Sequence, residues 1–542
     1  MKDIASLSHR LFRYGGSAWA ARILLCLAVF ISYASIWPNT FVFDDLPLIA
    51  RNEFLQHWSD LPKLLTSLSF TGGGIPGGFY RPVQMLIYFF IYQTFGPSTV
   101  AFHMLNLLLQ ALNACLLYHF GLRAGFKKSA AFAAALLWAV HPLNSIDVTY
   151  MASTAELLWG SFCLIGLIML LPDFTSRKIW QALIFFILAM CCKESAVVFP
   201  ALAMATLFLT SKGRLRLSTY LKTWPLWLVA ICYTSVRLWF AHNNPDNGNP
   251  ADLLTRLLTS LATLPLYARL IVWPAGLHFE RVFPAFSSMM AWQPVAGALM
   301  IGLSLVQILL GHGQRGLALS FGLLWCGAAL APYTGIVVPI NALFSEGWMY
   351  LPTMGLFLGG AQTAADVLEK SKGMARLLVL ALALSLGVTT FFHNKVWRST
   401  ETLYQNIPPD EEHSTRLSLF LGPFYMQQGE FDRAIDHMQY EIDHDRLPLI
   451  LQANLHWKLA MAWLHVPPDR NGMTFTLNTH SLPSDQHIPE AIRELGQALQ
   501  DSPDFYPAHT ALAALYRYQN NSQMADFHTK QADAILKKQG SH

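Results

Sequence analysis

Residues 375–393 read ARLLVLALALSLGVTTFFH, and this run decides the fold class. A helix that spans a bilayer needs about 20 predominantly apolar residues. The only Lys, Arg, Asp or Glu in the run is Arg376, close to its beginning, so the rest has no charged side chain to face water. We predict that this segment crosses a membrane as a helix.

Ten further apolar stretches precede this run. They lie roughly at 20–38, 100–121, 129–141, 150–171, 179–192, 194–211, 224–241, 292–311, 316–333 and 348–366. We therefore predict a polytopic, all-α membrane protein with about 11 spans, within a range of 11–13. The first stretch lacks a convincing small-residue cleavage site and runs into Trp37-Pro38, so we expect it to be retained rather than removed as a signal peptide.

The composition of the whole chain agrees with this prediction. Hydrophobic residues make up 53% of the 542 residues and charged residues only 13%, whereas a soluble domain carries about 25% charged residues. The net charge of +4 is too small to indicate a nucleic-acid partner. All seven cysteines lie inside apolar stretches, so we expect buried apolar side chains rather than disulfides or a cysteine metal site.

Basic residues follow the even-numbered apolar stretches, and such residues accumulate in cytoplasmic loops. These loops contain Arg123, Lys127, Lys128, Arg177, Lys178, Lys212, Arg214, Arg216, Lys222, Arg315, Lys370, Lys372 and Arg376. The pattern predicts a cytoplasmic N-terminus, and an odd number of spans then places the C-terminal region outside the cytoplasm. Residues 255–274 are apolar enough to be another span. Counting them would put Arg315 on the wrong side, so we expect a re-entrant or surface helix there.

From about residue 400 onward the hydropathy falls and helical-repeat patterns appear. Leu421-Gly422, Tyr425, Gly429 and Ala434 have the spacing of a tetratricopeptide repeat. A second copy, interrupted by a loop at 466–487, and a third copy have signature positions at Leu455, Leu459, Ala460, Trp463, Ala491, Ala498, Pro503, Leu512, Tyr516, Ala525 and Ala532. We predict a membrane domain at 1–395 and a repeat domain of the α-solenoid type at 396–542. Its concave face suits an extended peptide or a protein partner, and a lid docked on the membrane domain is the alternative.

Asp44 and Asp45 follow the first apolar stretch directly. Two adjacent carboxylates beside an apolar segment are costly unless they are solvated, paired or metal-bound. We predict a catalytic pair that supplies a general base, and a divalent cation held by both carboxylates is a second option. A solvated loop pair is the alternative without function. No other cofactor or metal site is predicted.

Further polar residues lie at the predicted outer ends of the spans and are candidate substrate-binding residues. They are Arg81, His103, His141, Asp147, Glu156, Lys193, Glu194, Arg237, Arg269 and Glu346. For any one of them, a paired or snorkelling side chain is the alternative. Carboxylates and cations at one membrane face suit a lipid-linked phosphate substrate. A carboxylate can take the proton of an acceptor hydroxyl, and cations can hold the phosphate that leaves.

Five segments occur in a fixed order along the chain. They are FVFDDLPLIARNEF at 41–54, YRPVQMLIYFFIYQTFGPSTVAFHMLNLLLQ at 80–110, HPLNSIDVTYMASTAELLWG at 141–160, CCKES at 191–195 and SEGWMYLPTMG at 345–355. With the repeats that follow, they resemble the GT-C glycosyltransferases that carry C-terminal tetratricopeptide repeats. This group includes the animal transmembrane-and-TPR O-mannosyltransferases and many bacterial relatives.

The resemblance implies a GT-C fold, a polyprenyl-phosphate-linked sugar donor and an active site on the lumenal or periplasmic side. It also implies an essential Asp just after the first span, which matches the Asp44-Asp45 pair without separating its members. We slightly favour Asp45. Arg81, His103 and His141 carry over to matching positions. The chain departs from the pattern at Asp147, where the acid is displaced by one residue, and at Thr154, where relatives have Arg. These departures bear on which donor sugar and which acceptor the protein uses.

The resulting hypothesis is an inverting glycosyltransferase of a bacterial inner membrane that modifies periplasmic acceptors. Protein hydroxyls are the expected acceptor class, and a glycan is the other. One alternative is a catalytically inactive scaffold whose repeats recruit partners for envelope glycan or protein assembly. Another is a transporter that uses Lys193-Glu194 for proton coupling. Such a transporter should show repeated halves with broken helices, and the spans show no convincing repeat.

Overall fold

The computed structural model describes residues 18–74, 79–214, 217–243, 252–281, 283–337, 342–408, 415–444, 449–468 and 487–539. The regular elements within these ranges are helices, which confirms the predicted all-α fold class. The chain forms two compact units. The first comprises most of the residues up to Asn406, and the second consists mainly of the residues from Ile407 onward. The division into domains at residue 395 stays a prediction.

The helices of the first unit are α1 (Ala18–Ile36), α2 (Leu61–Thr66), α3 (Pro82–Phe95), α4 (Thr99–Arg123), α5 (Lys128–Ala139), α6 (Ser145–Thr149), α7 (Thr154–Leu170), α8 (Ser176–Met190), α9 (Phe199–Thr210), α10 (Leu217–Leu221), α11 (Trp224–Asn243), α12 (Leu253–Val272), α13 (Trp292–Leu310), α14 (Gly313–Leu330), α15 (Tyr350–Val367), α16 (Lys372–His393) and α17 (Thr400–Gln405). Short 3-10 and π turns join several of them. Each of the eleven stretches predicted to span the membrane contains one of these helices.

Within the described ranges, six helices are long and apolar enough to cross a membrane, namely α1, α4, α7, α13, α14 and α16 with their flanking turns. A seventh crossing forms if α5 and the segment Pro142–Thr149, bent by 53°, are one broken span. The protein is therefore an integral membrane protein, and the full span count stays a prediction. The helix α12 is continuous and contains Pro265, and its placement as a re-entrant or surface helix stays a prediction.

The core of the first unit lies between α4, α5, α7, α14 and α15, where large side chains fit against small ones. Trp138 and Trp325 are fully buried, and their indole N–H groups donate to the carbonyls of Tyr350 and Leu351 at 3.1 and 2.8 Å. A Cβ at Gly355 would lie 2.3 Å from the Trp325 ring. Small residues allow this close approach, which is how membrane helices pack without a hydrophobic driving force between them. The packed core gives the ends of α4, α7 and α15 fixed positions.

The second unit contains three consecutive helix pairs. These are α18 (Thr415–Gln428) with α19 (Phe431–His444), α20 (Leu449–Trp463) with α21 (Ile488–Asp501), and α22 (Tyr506–Tyr518) with α23 (Ser522–Gln539). Each helix also packs on the next along the chain, as in an α-solenoid. The signature alanines Ala434, Ala460, Ala491, Ala498 and Ala525 are buried. Most of the predicted loop at 466–487 lies outside the described residues.

Candidate functional site

Asp45 is a fully buried anchor of the loop that follows α1. Its two carboxylate oxygens accept hydrogen bonds from the backbone N–H groups of Val42 at 3.1 Å and Ala152 at 2.6 Å. Burial raises the pKa of Asp45 well above its usual range, although the backbone hydrogen bonds oppose the shift. An acceptor hydroxyl therefore has little access to Asp45, whose visible role is to join two distant segments of the chain.

Asp44 lies next to this anchor and is half-buried, in contrast to the fully buried Asp45. The preceding Phe43 has a φ of +48°, in the left-handed region that a bulky residue rarely adopts. The backbone N–H of Asp44 donates to the hydroxyl of Tyr150 at 3.0 Å, and its carbonyl accepts from the N–H of Leu48 at 3.0 Å. Strained backbone persists where surrounding contacts hold it, and it clusters at active sites. Asp44 thus combines access with a fixed backbone.

Aromatic side chains surround the backbone of Asp44. Tyr150 stacks on Trp397 with ring centroids 5.2 Å apart, and Phe279 packs edge-on against Trp397 at 5.5 Å and against Phe43 at 4.5 Å. Burial, followed by the nearby charge of Asp44, raises the pKa of Tyr404. These rings form an apolar wall beside Asp44, which we name the aromatic wall and define as Phe43, Tyr150, Phe279 and Trp397.

The end of α16 holds the same loop from another side. The side-chain amide of Asn39 donates to the carbonyl of Asn394 at 3.0 Å, and the backbone N–H of Thr40 donates to the carbonyl of Arg398 at 3.0 Å. The segment after α16 thus fixes the loop after α1, more than 350 residues away in sequence. The loop is placed by partners that no local sequence pattern identifies.

The segment Tyr150–Glu156 connects the Asp44-Asp45 loop to the polar start of α3. Ala152 donates its N–H to Asp45, and its carbonyl accepts from the Gln84 side chain at 3.1 Å. Thr154, one of the positions that depart from the family pattern, is buried and donates to Asn106 at 2.7 Å. Here Thr154 supports the segment through a neutral hydrogen bond.

Two ion pairs lie at the start of α3 and around Lys193-Glu194. Arg81 donates from Nε and Nη2 to the two oxygens of Glu194, at 3.2 and 2.9 Å. Lys193 donates to Glu156. The backbone at Lys193 is extended, with φ −154° and ψ 137°, so consecutive side chains point to opposite sides. Lys193 and Glu194 therefore each form their ion pair with a partner far away in the sequence.

Glu156 is a junction of this cluster. Besides Lys193, it accepts hydrogen bonds from the Trp159 indole and, at 3.2 Å, from the Tyr333 hydroxyl. The Tyr333 ring stacks on Trp348 with centroids 5.0 Å apart. Neither Tyr333 nor Trp348 was among the candidate site residues predicted from the sequence. The segment SEGWMYLPTMG, which contains Trp348, was the only signal for this stacked pair.

Asp147 and Glu346 are buried acids near this junction. Neither carboxylate oxygen of Asp147 has a hydrogen-bond partner within the described part of the chain, and Asp147 interacts electrostatically with Glu156, Lys193 and Glu346. Glu346 accepts from the backbone N–H of His278 at 3.2 Å. A Cβ on the intervening Gly347 would lie 2.8 Å from Asp147 Oδ1, so glycine permits this close approach.

The remaining candidates fall into different surroundings. Arg237 is half-buried, acts electrostatically on Glu194 and bonds to Tyr233. Arg269 is exposed on α12 and donates to the carbonyl of Ala275 at 3.2 Å. The structure thus brings Arg237 to the ion-pair cluster, whereas Arg269 bonds to the turn that follows its own helix.

Two histidines predicted to bind substrate are buried between helices. His103 is fully buried in α4. The His141 ring accepts the N–H of Leu143 at 3.2 Å and donates to the carbonyl of Ile271 at 3.0 Å. These two hydrogen bonds fix one tautomer of His141 and tie the corner after α5 to α12. Their substrate contacts stay predictions.

A metal ion shared by the two aspartates has few ligands here. In the part of the chain that the structure describes, no three His, Cys, Asp or Glu side chains form a group that could hold a metal ion. Both oxygens of Asp45 already accept backbone hydrogen bonds. A cation bound jointly by Asp44 and Asp45 stays a prediction.

Comparison with known proteins gives relatives but no matching family model. A protein O-mannosyl-transferase of Caenorhabditis elegans is 26% identical over 399 residues, covering 71% of this chain and 56% of that protein. The mouse (Mus musculus) protein O-mannosyl-transferase TMTC3 is 24% identical, covering 76% and 50%. The human (Homo sapiens) protein O-mannosyl-transferase TMTC4 is 24% identical, covering 72% and 61%. This chain resembles protein O-mannosyl-transferases.

That similarity confirms the resemblance predicted from the five ordered segments. The chain spans about half the length of the curated relatives it matches. The aromatic wall, by contrast, could not be predicted from the sequence, because its four members come from four separate segments of the chain. Only the quoted motifs around Phe43 and Tyr150 pointed to part of it.

Proposed function

We propose that this protein is a GT-C type membrane glycosyltransferase that moves a sugar from a polyprenyl-phosphate carrier to protein hydroxyls outside the cytoplasm. In a bacterium, this would be the periplasmic face of the inner membrane. The observation that carries the proposal is the half-buried Asp44 on a loop with strained, hydrogen-bonded backbone, directly after the first apolar helix. The names of the relatives and the membrane-spanning helices support the same reaction class.

In the proposed reaction, the Asp44 carboxylate accepts the proton of a serine or threonine hydroxyl. The hydroxyl oxygen forms a bond to the anomeric carbon of the sugar as the bond between that carbon and the phosphate oxygen breaks. The bonding electrons leave with the polyprenyl phosphate, and the configuration at the anomeric carbon inverts. A positioned general base contributes roughly 10²- to 10⁴-fold to such a step.

Asp45 has a different role in this proposal. Its hydrogen bonds to Val42 and Ala152 fix the loop, so it is a positioning residue for Asp44. The aromatic wall keeps water from one side of Asp44, and exclusion of water strengthens the charge interactions of the base. In this proposal Asp44 takes the proton, and the neighbouring Asp45 holds the loop in place.

The phosphate needs a cation that is not already neutralised. Arg81 and Lys193 each form an ion pair with a glutamate. Arg237 forms no ion pair within 4.0 Å in the described ranges and acts on Glu194 from α11. We assign Arg237 as the first contact of the donor phosphate, with the Arg81–Glu194 pair holding the cluster in place. Charge-assisted contacts of this type are stronger than neutral hydrogen bonds.

The second unit is proposed to hold the polypeptide acceptor. Stacked helix pairs present an extended concave face, and the three pairs α18–α19, α20–α21 and α22–α23 have this arrangement. An acceptor peptide bound there would be a protein partner of the repeats. The scaffold alternative uses the same face without any transfer.

The test is transfer by the purified, reconstituted full chain. Radiolabelled polyprenyl-phosphate mannose is supplied with extracytoplasmic proteins as acceptors, and label in protein is measured. We expect transfer with wild type, and a loss of at least about a hundredfold with Asp44→Asn. Asp173→Asn, in a loop where the side chain is 73% exposed, is the matched control. Transfer from a nucleotide sugar alone would refute the lipid-phosphate donor, and no transfer from any donor would favour the scaffold.

A further inference from the structure

A cavity of about 290 Å³ lies where α8, α10 and α11 begin, and none of its lining residues belongs to the candidate site. One part of its lining is polar and consists of Ser176, Ser218 and Lys222. The other part is apolar and includes Ile179, Trp180 and Trp224. The cavity therefore offers one cation and two hydroxyl groups next to a hydrophobic surface.

The cavity lies at the boundary of the membrane-spanning region. The apolar helix α7 ends at Leu170, and α8 begins at Ser176 after a short turn. Trp180 and Trp224 are 54% and 57% exposed. Tryptophan is enriched at the level of the lipid headgroups, where its apolar ring and its N–H group both find partners. The position and the two indoles thus place the cavity at headgroup depth.

The positive charge at and near the cavity favours binding of an anion. Lys222 is the charged side chain in its lining. The segments 171–180 and 211–225 contribute five further basic residues, against the single acid Asp173. Clusters of Lys and Arg at the membrane surface attract anionic lipid headgroups. The site therefore favours a phosphate that carries a net negative charge.

The size and the mixed lining decide between a lipid and a free ion. Ligand pockets that enclose whole small molecules measure roughly 300–1,000 Å³, so this cavity has room for a headgroup rather than for a whole lipid. A free phosphate would leave the apolar wall and both tryptophans without a role. We propose that this cavity binds the phosphate and glycerol of an anionic glycerophospholipid. Lys222 contacts the phosphate, the two serines contact its oxygens, and the tryptophans flank the glycerol and the first acyl carbons.

Photo-crosslinking on the full chain tests this site. The protein is reconstituted in phosphatidylcholine vesicles that contain a small fraction of photoactivatable phosphatidylglycerol, and cross-linked peptides are mapped by mass spectrometry. We expect labelled peptides from residues 176–180 and 218–225. Lys222→Gln should lower this labelling about tenfold, the scale of one charge-assisted contact. Lys370→Gln, an exposed lysine in another basic loop, should leave it unchanged.

Competition and a second variant complete the test. The double variant Ser176→Ala with Ser218→Ala removes the hydroxyl donors without touching the charge, and it should also lower the labelling. Unlabelled phosphatidylglycerol should compete, whereas inorganic phosphate and phosphatidylcholine should not. Competition by inorganic phosphate would overturn the lipid assignment. Equal labelling by a photoactivatable phosphatidylcholine, or unchanged labelling in Lys222→Gln, would overturn the recognition of an anionic headgroup.

Discussion

The roles assigned to Asp44 and Asp45 differ enough that two asparagine substitutions should separate them. Asp44→Asn removes a carboxylate from a half-buried position and leaves its backbone contacts to Tyr150 and Leu48 intact. We expect the folded protein to persist while transfer falls by about 10²- to 10⁴-fold. Asp45→Asn changes a buried side chain that joins two segments, so we expect its first effect on stability.

The magnitude for Asp45 follows from its two hydrogen bonds. An asparagine oxygen can keep the bond from Ala152 or that from Val42, but the amide nitrogen is a donor and would face the other backbone N–H. A buried N–H without an acceptor costs about 1–3 kcal/mol. We therefore expect the free energy of unfolding to fall by about that amount.

The loss in the free energy of unfolding caused by Asp45→Asn should also depend on pH. Burial raises the pKa of Asp45 in the folded protein. Its stabilising contribution is then fully present below the unfolded pKa, about 3.9, and is lost as the pH rises through the folded pKa. Asparagine does not titrate. The difference in stability between wild type and Asp45→Asn should accordingly be largest in acid and should shrink as the pH rises.

Thermal unfolding in detergent across pH, together with transfer per folded molecule, provides the assay. The expected pattern is a stable, inactive Asp44→Asn and a less stable Asp45→Asn that keeps more activity per folded molecule. The reasoning fails if Asp45→Asn unfolds like wild type and loses transfer while Asp44→Asn stays active. That result would make Asp45 the base, as the sequence analysis slightly favoured.

Three further predictions concern packing, the repeats and topology. Gly297→Ala should lower the yield of folded protein, because its Cβ would lie 1.9 Å from the Leu261 carbonyl oxygen. The control Gly302→Ala on the same helix meets nothing within 4 Å and should match wild type. Equal yields of the two variants would contradict the close packing of α12 on α13. Glu494→Gln should speed proteolysis of the second unit, because Glu494 accepts a hydrogen bond from buried His456 at 2.7 Å. A charge-assisted hydrogen bond of this kind contributes about 1.5–3 kcal/mol to stability. Unchanged proteolysis would show that the pair is dispensable. A reporter fused after the last apolar helix should be active outside the cytoplasm, and a cytoplasmic signal would overturn the orientation.

The Lys193-Glu194 dipeptide shows where sequence reasoning stops. Neighbouring opposite charges suggested a pair, yet Lys193 bonds to Glu156 and Glu194 bonds to Arg81, 37 and 113 residues away. The extended backbone at Lys193 sends the two side chains apart. Which charges meet is therefore a property of the packed helices, and no spacing in the sequence encodes it.

The sequence by itself determined the helical membrane class and the repeat-bearing tail, and it singled out the Asp44-Asp45 segment as a candidate site. These are local properties, since an apolar run of sufficient length must satisfy its own backbone hydrogen bonds as a helix in lipid. Only the tertiary structure decided that Asp45 is buried against Ala152 while Asp44 stays accessible, and that Phe279 and Trp397 complete the aromatic wall. The physical reason is that burial and hydrogen-bond partners come from segments far apart in the chain, which meet only after the helices have packed.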